Sequence, residues 1–195
     1  MRSLKIAVVL VVGVWGLFAI TNATTVAAND DDDRDDNGRI ALMDDCDPRV
    51  GAGWNTATDS TQCVRKEGSV SRAEFAMFLA SPFSVAVVGH PSWTIAPTYL
   101  KPELGDRLRV RNAGGRGHTF TEVANYGGGF VAALNMGLIT APECATAAGT
   151  VIPPGGRVTV TGLALGNHKF QCCIHPWMRN LVKVEPEEND QHHDN

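Results

Sequence analysis

The apolar residues between Ser84 and Glu185 fall in short runs, separated by turns rich in glycine, proline, asparagine and aspartate. Several runs alternate apolar and polar residues, as a strand does when one face of its sheet is buried. Many short strands with turns between them are typical of a β-sandwich. The pattern therefore predicts an all-β domain over residues 84–185. The predicted strands are Val85–Val88, Trp93–Thr98, Arg107–Arg111, Thr119–Ala124, Arg157–Thr161, His168–Cys172 and Leu181–Val184.

Two segments do not follow this pattern. Residues 125–150 lack clear periodicity, which predicts an irregular, glycine-rich insertion over one edge of the sandwich. Within residues 40–83, Ser71 and Glu74 match a capping box. Three apolar residues follow at the spacing of one helix face, namely Phe75, Phe78 and Leu79. Residues 40–83 are therefore predicted to be an N-terminal extension whose one short helix packs on the outside of a sheet.

Residues 1–28 have the pattern of a secretory signal peptide. Arg2 and Lys5 give the segment a basic start, and Ile6–Ile20 is an apolar run too short for a comfortable membrane span. Small residues at Val26–Ala28 suit cleavage. We therefore expect a periplasmic or secreted protein, with membrane contact only if the segment is retained as an anchor.

Acidic residues are concentrated at the two ends of the remaining chain. Residues 29–39 form a predicted disordered linker, because Asp30–Asp36 holds six aspartates and one arginine. Residues 186–195 are polar and predict a disordered tail. The part between these ends is mildly basic, which does not indicate nucleic-acid binding but allows a basic docking face for an acidic redox partner.

The run Phe-Gln-Cys-Cys-Ile-His-Pro-Trp-Met over residues 170–178 carries the candidate chemistry. It places a thiol, an imidazole and a thioether within seven residues, at Cys172, His175 and Met178. One cysteine, two histidines and a weak axial methionine are the ligands of a blue-copper site. The missing imidazole is expected from His118, which follows a predicted strand and a glycine-rich loop. Cysteine and histidine also suit zinc, but a nearby methionine favours copper.

This run resembles the copper-ligand loop of the cupredoxins, and its short spacing is most similar to that of amicyanin and plastocyanin-like proteins. Residues 106–119 also resemble the strand and histidine that come earlier in that family. The resemblance covers residues 84–185 and implies a Greek-key β-sandwich that binds one copper ion, cycling between Cu(I) and Cu(II). It implies a one-electron carrier that is not an enzyme, with copper storage or delivery as the alternative function. It also implies that a redox partner docks near Trp177, where the edge of His175 reaches an apolar surface.

The cysteine count is consistent with such a site. Five cysteines are present, and a copper ligand at Cys172 leaves four for two disulfides in an exported chain. We expect Cys46 to pair with Cys63, and Cys144 to pair with Cys173. Other connectivities remain open, since sequence alone does not determine them.

Several other donors are less well placed than the four chosen. Cys173 leaves only one residue before His175 and points to the opposite face of its strand. His168 lies four residues before Cys172 on the predicted strand, about 13 Å away at about 3.3 Å per residue, and cannot share the metal. The remaining candidates are His90 as the second imidazole, Met136 as the axial ligand, and the tail pair His192 and His193 as a weak separate site. Thr119 is expected to hydrogen-bond near the ligand loop.

Overall fold

The computed structural model describes residues 38–49, 63–64, 67–80, 89–135 and 137–187. The strands are β1 (Arg39–Met43), β2 (Thr94–Ala96), β3 (Tyr99–Leu100), β4 (Leu108–Asn112), β5 (Thr121–Val123), β6 (Arg157–Val160), β7 (Gly166–Gln171) and β8 (Arg179–Val184). The helices are α1 (Arg72–Leu79), α2 (Ala132–Asn135) and the 3-10 helix η1 (Pro142–Thr150). Within these ranges, no helix has the length and apolar character needed to cross a membrane. The predicted signal peptide, the aspartate run and the strand Val85–Val88 lie outside the described residues.

Within the described part of the chain, the strands form two four-stranded sheets. The first has the order β2-β1-β4-β6, in which β1 runs parallel to β4 and the other neighbours are antiparallel. The second has the order β3-β8-β7-β5, in which only β3 and β8 are parallel. Both sheets contribute to one core, which includes Leu42, Leu108, Val110, Phe170, Val182 and Val184. The predicted all-β sandwich is confirmed, because each sheet turns its apolar positions toward this shared core.

Strand β1 corrects the predicted boundary of the sandwich. The sequence interpretation placed residues 40–83 outside it, whereas β1 lies inside the first sheet, between β2 and β4. Ile40 and Leu42 alternate with residues that are exposed or half-buried, and both are buried in the core. Only these two positions mark the inward face of β1. A pattern this short cannot be recognised as a strand from the sequence alone.

Helix α1 confirms the predicted helix in the N-terminal segment. The Oγ atom of Ser71 accepts a hydrogen bond from the Glu74 backbone N–H at 3.1 Å and caps the first turn. Phe75 is buried, and its ring lies 4.8 Å from the ring of Trp93 between centroids. The helix therefore packs through Phe75, and through Phe78 against His90 at 4.9 Å between ring centroids, onto the segment that leads into β2.

Both predicted disulfides are confirmed. Cys46 bonds to Cys63 with a Cα–Cα distance of 6.0 Å, and Cys144 bonds to Cys173 with a Cα–Cα distance of 5.2 Å. The second bond fastens η1, and with it the predicted insertion, to the residue that follows Cys172. Each disulfide is expected to stabilise the fold by roughly 2–4 kcal/mol. Cys172 is the one free cysteine, and it is buried.

Candidate metal centre

The ligand loop, residues 172–178, begins directly after β7 and ends directly before β8. The Cys172 backbone N–H donates to the Met178 carbonyl at 3.0 Å, and the Met178 N–H donates to the His175 carbonyl at 2.9 Å. These two bonds close the loop on itself, so the backbones of its three predicted ligands are fixed relative to one another. The side chain of Met178 is buried in the core.

A second loop, residues 113–117, carries the chain from β4 to His118. The buried Asn112 side chain holds this loop from inside, since its Nδ2 donates to the carbonyls of Arg116 at 2.6 Å and Ile152 at 2.9 Å. Its Oδ1 accepts from the Gly114 N–H at 2.9 Å. His118 and Ile152 then exchange backbone hydrogen bonds of 3.2 and 2.7 Å. The backbone position of His118 is thus fixed by the Asn112 side chain, which holds the loop before it, and by its own backbone hydrogen bonds to Ile152.

The two loops bring His118, Cys172 and His175 together. The Sγ atom of Cys172 lies 3.8 Å from Nδ1 of His118 and 3.7 Å from Nδ1 of His175. One potential ligand atom from each residue lies within 4.8 Å of the others, and all three side chains are fully buried. The structure thus brings the two predicted imidazoles next to the predicted thiol.

This donor set fits a single metal ion. Sulfur and nitrogen ligands bind an ion at about 2.3 and about 2.0 Å, so two donors of one ion with wide ligand–metal–ligand angles lie somewhat under 4 Å apart. The observed Sγ–Nδ1 distances of 3.8 and 3.7 Å match that requirement. Two imidazoles and one thiolate are the equatorial ligands of a blue-copper site, and the buried thioether of Met178 follows in the same loop.

The surroundings of Cys172 favour the thiolate, the form that binds metals. Burial alone would raise the pKa of Cys172, but hydrogen bonds with His118 and His175 and the charges of these residues hold that pKa well below its usual range. The backbone N–H of Thr119 also donates to Sγ at 3.4 Å. The Oγ1 atom of Thr119 accepts from the Cys173 N–H at 2.7 Å, so Thr119 hydrogen-bonds to the ligand loop as predicted.

Asp44 is a site residue that sequence reasoning missed. It directly follows β1, and its Oδ2 lies 2.8 Å from Nε2 of His118, with both side chains fully buried. Its carboxylate also accepts from the backbone N–H groups of Cys46, Gly115 and Arg116 at 3.3, 3.0 and 3.0 Å. Because Nε2 is held by this carboxylate, Nδ1 is the nitrogen that faces Cys172. Carboxylates commonly orient metal-binding histidines in this way.

The Asp44–His118 contact shifts the pKa of both groups. Burial alone would raise the pKa of Asp44, but the hydrogen bond and charge of His118 and the backbone donors of Arg116 and Gly115 lower it to about 2. Burial alone would lower the pKa of His118, but its hydrogen bonds to Asp44 and Cys172 raise it to about 9.

Gly114 is needed for the close approach of the second loop to Asp44, since a Cβ atom at Gly114 would overlap the Asp44 carboxylate.

Aromatic rings surround the other imidazole. The ring of His175 lies 5.4 Å from Trp177 and 6.3 Å from Trp93 between centroids, and Phe75 lies 6.2 Å from Trp177. We call Phe75, Trp93 and Trp177 the aromatic shell. The resemblance implied an exposed edge of His175, but His175 is 0% exposed and the half-buried Trp177 is its neighbour nearer the surface. The N-terminal helix α1 contributes to this burial through Phe75.

The alternative donors are placed elsewhere. Cys173 is in a disulfide and is not a ligand. His90 packs against Phe78 and Trp93 at ring distances of 4.9 and 4.8 Å, outside the His–Cys–His group. His168 contacts Glu122 at 2.7 Å, also outside that group. Met136, His192 and His193 lie outside the described residues.

Loops of the two packed four-stranded sheets converge on a His–Cys–His group. The fold is a β-sandwich of two four-stranded sheets. No family model and no curated protein matches the chain.

Solved structures of low sequence identity do match the chain. One is a purple cupredoxin from Nitrosopumilus maritimus, with 18% identity, a TM-score of 0.35 and coverage of 49% of this chain and 86% of that one. Another is a Cu(I) form of an amicyanin mutant, with 20% identity, a TM-score of 0.33 and coverage of 47% and 73%. A copper-containing nitrite reductase from Thermus scotoductus matches with 18% identity and a TM-score of 0.32, over 48% of this chain and 20% of that one.

Proposed function

We propose that this protein is an exported type 1 copper protein that carries single electrons and is not an enzyme. In this proposal His118, Cys172 and His175 would hold one copper ion, and the thioether of Met178 would be its weak fourth ligand. The observation that supports it is the convergence of two imidazole Nδ1 atoms on one buried thiol, at 3.8 and 3.7 Å. Two histidines, one cysteine and a distant methionine are the donor set of blue-copper electron-transfer sites.

The bound ion would supply the one-electron redox chemistry, and the chain would supply a donor set that changes little between the two redox states. Asp44 holds one imidazole, the aromatic shell packs around the other, and the Thr119 N–H contacts the thiol. The donors are therefore already close to one another before any ion binds. Little rearrangement of the protein is then needed when an electron arrives or leaves.

Export to the periplasm or the outside of the cell is part of the proposal. Two disulfides support it, because disulfides persist in oxidising compartments and are rare in the cytosol. The signal-like pattern of residues 1–28 supports the same conclusion.

The redox partner is proposed to dock near His175 and Trp177, with Trp177 rather than His175 at the contact. Trp177 packs on His175 at 5.4 Å and is half-buried, whereas His175 is fully buried. An electron entering near His175 would therefore pass the indole ring first.

A copper-loading experiment tests this function. The protein with one equivalent of Cu(II) should show intense visible absorption and should be reduced and reoxidised repeatedly without losing its copper. A storage or delivery protein would instead release Cu(I) readily to a chelator such as bathocuproine disulfonate. Rapid release of Cu(I) without a thiolate-to-copper absorption band would contradict the carrier function.

A further inference from the structure

The two residues on either side of Cys172 contact one short stretch of the irregular segment, Gly127–Gly129, which we call the glycine segment. Gln171 and Cys173 are both 0% exposed. Cys172 belongs to the main core between the sheets, whereas Cys173 belongs to a second apolar cluster with Val123 and Cys144. The outer side of the strand end that carries Cys172 is therefore covered as completely as its inner side.

The side chain of Gln171 binds the glycine segment as a neighbouring peptide group would. The Gly127 N–H donates to its Oε1 at 3.0 Å, and its Nε2 donates to the Gly127 carbonyl at 3.2 Å. Leaving such buried groups without partners is costly, so this pair of bonds is a strong constraint. It fixes Gly127 relative to the residue that precedes Cys172.

The residue that follows Cys172 is held at the other end of the glycine segment. The Phe130 N–H donates to the Cys173 carbonyl at 2.9 Å. A Cβ atom at Gly129 would lie only 1.8 Å from that carbonyl oxygen, so the two backbones approach as closely as glycine alone allows. The disulfide to Cys144 ties Cys173 to η1 on the same side.

The glycine segment is itself anchored on its far side. The Gly129 N–H donates to Oδ1 of Asn135 at 2.7 Å, and Nδ2 of Asn135 donates to the Gly129 carbonyl at 2.8 Å. Gly128 makes backbone hydrogen bonds to Ile139 at 2.7 Å and to Ala141 at 2.9 Å. Each glycine is thus fixed by hydrogen bonds, and the segment connects α2 and the start of η1 to the ligand strand.

We propose that the glycine segment positions the thiol of Cys172, by holding the residues before and after it. Gln171 and Gly129 are then positioning residues, since they reach the copper site only through the backbone of Cys172. The role rests on the proposed function, because it matters to copper only if Cys172 is a ligand. Partners that orient metal ligands commonly determine how tightly the metal is held.

The reactivity of the Cys172 thiol tests this role without any metal. Cys172 is the one free cysteine and is buried, so Ellman's reagent reaches it in the metal-free, unreduced protein only when the structure opens locally. Gly129→Ala should react about tenfold or more faster, because the added methyl group pushes the Cys173 carbonyl away. Gln171→Ala should show a similar increase, because Gly127 loses its buried partner.

Three control variants separate this role from a general loss of stability. Gly149→Ala adds the same methyl group where nothing lies within 4 Å, and Asn167→Ala removes an exposed amide from β7. Val158→Ala removes apolar contacts of β6 with the core, far from the glycine segment in the fold. All three should react at nearly the rate of the unaltered protein.

Copper release is the second measurement. With one equivalent of Cu(II) bound, Gly129→Ala and Gln171→Ala should release copper to a chelator about tenfold faster than the unaltered protein, and the three controls should not.

Two results would overturn the inference. One is thiol reactivity and copper release in Gly129→Ala and Gln171→Ala like those of the unaltered protein. The other is an equal increase in Val158→Ala, which would show that lost stability is the cause. A protein that bound no copper, yet whose thiol reacted as expected in every variant, would contradict the proposed function and leave the holding of Cys172 established.

Discussion

The two imidazoles that face Cys172 are held by different kinds of surroundings. His118 is oriented by a buried carboxylate, with Asp44 2.8 Å from its Nε2 and backbone donors fixing that carboxylate in turn. His175 lies among the rings of Trp93 and Trp177, at 6.3 and 5.4 Å between centroids. One side of the site is therefore positioned by directional polar contacts, and the other by packing.

This difference assigns different properties to the two sides. Hydrogen bonds and charge at His118 determine which nitrogen faces the thiol, and they make that side sensitive to pH. Aromatic packing at His175 excludes water and carries no titrating group among the shell residues. The polar side should therefore control copper affinity, and the aromatic side should control the reduction potential.

Removal of the imidazole on the polar side should have the largest effect. His118→Gly should abolish the visible absorption band of the copper-loaded protein, because only one imidazole then remains beside the thiolate. Added imidazole should restore the band by filling the vacated position. His90→Gly is the matched control, and it should leave the spectrum unchanged. If His90→Gly abolishes the band and His118→Gly does not, the ligand assignment is wrong.

Removal of the charge on Asp44 should have the next largest effect. Asp44→Asn should weaken copper binding about 10–100-fold, since partners that orient a ligand histidine typically have effects of this size. Competition with a chelator measures the affinity. Asp45→Asn removes the same charge one residue away and should bind copper like the unaltered protein. Equal losses in both variants would mean that charge near the site, and not the contact with His118, matters.

The Asp44–His118 pair should also make the stability of the metal-free protein depend on pH. The folded-state pKa of Asp44, about 2, lies below the ordinary value of 3.8, so Asp44 stabilises the fold above about pH 4. That contribution, ~2 kcal/mol, should be lost as the pH falls through 2. The pKa of His118 is raised to about 9 from 6.5, so its contribution is complete below pH 6.5 and lost as the pH rises through 9. Urea unfolding of the protein and of Asp44→Asn should show a stability gap that narrows at both extremes.

A change on the aromatic side should have the smallest effect and a different signature. Trp177→Ala should keep copper bound but lower the reduction potential, because water admitted near His175 stabilises the more highly charged Cu(II). Cyclic voltammetry measures the shift. Phe78→Ala is the control, since Phe78 packs on His90 and not on His175. A loss of copper affinity as large as that in Asp44→Asn would erase the distinction between the two sides.

The features that were predictable from sequence are those encoded by neighbouring residues. The alternation of β4 and β6 is local, and the structure confirms it. The spacing of Cys172 and His175 is also local, and the structure brings both residues together with His118. The contribution of β1 and the position of Asp44 were not predictable, because Asp44 and His118 lie 74 residues apart in sequence. The burial of His175 was not predictable either, because its aromatic shell comes from segments that are far apart in sequence: α1, the segment before β2 and the ligand loop. An acidic run beside Cys46 also gives no local sign of which aspartate turns inward.

The visible spectrum of the copper-loaded protein tests the central claim most directly, that Cys172 is the thiolate ligand of a type 1 site. The protein with one equivalent of Cu(II) should show an intense thiolate-to-copper band, and Cys172→Ser should lose it while circular dichroism shows that the sandwich remains folded. The core that surrounds the site is built by both sheets, so we expect it to stay folded without the ion. An intense band retained in Cys172→Ser, or no band in the unaltered protein with copper bound, would contradict the account.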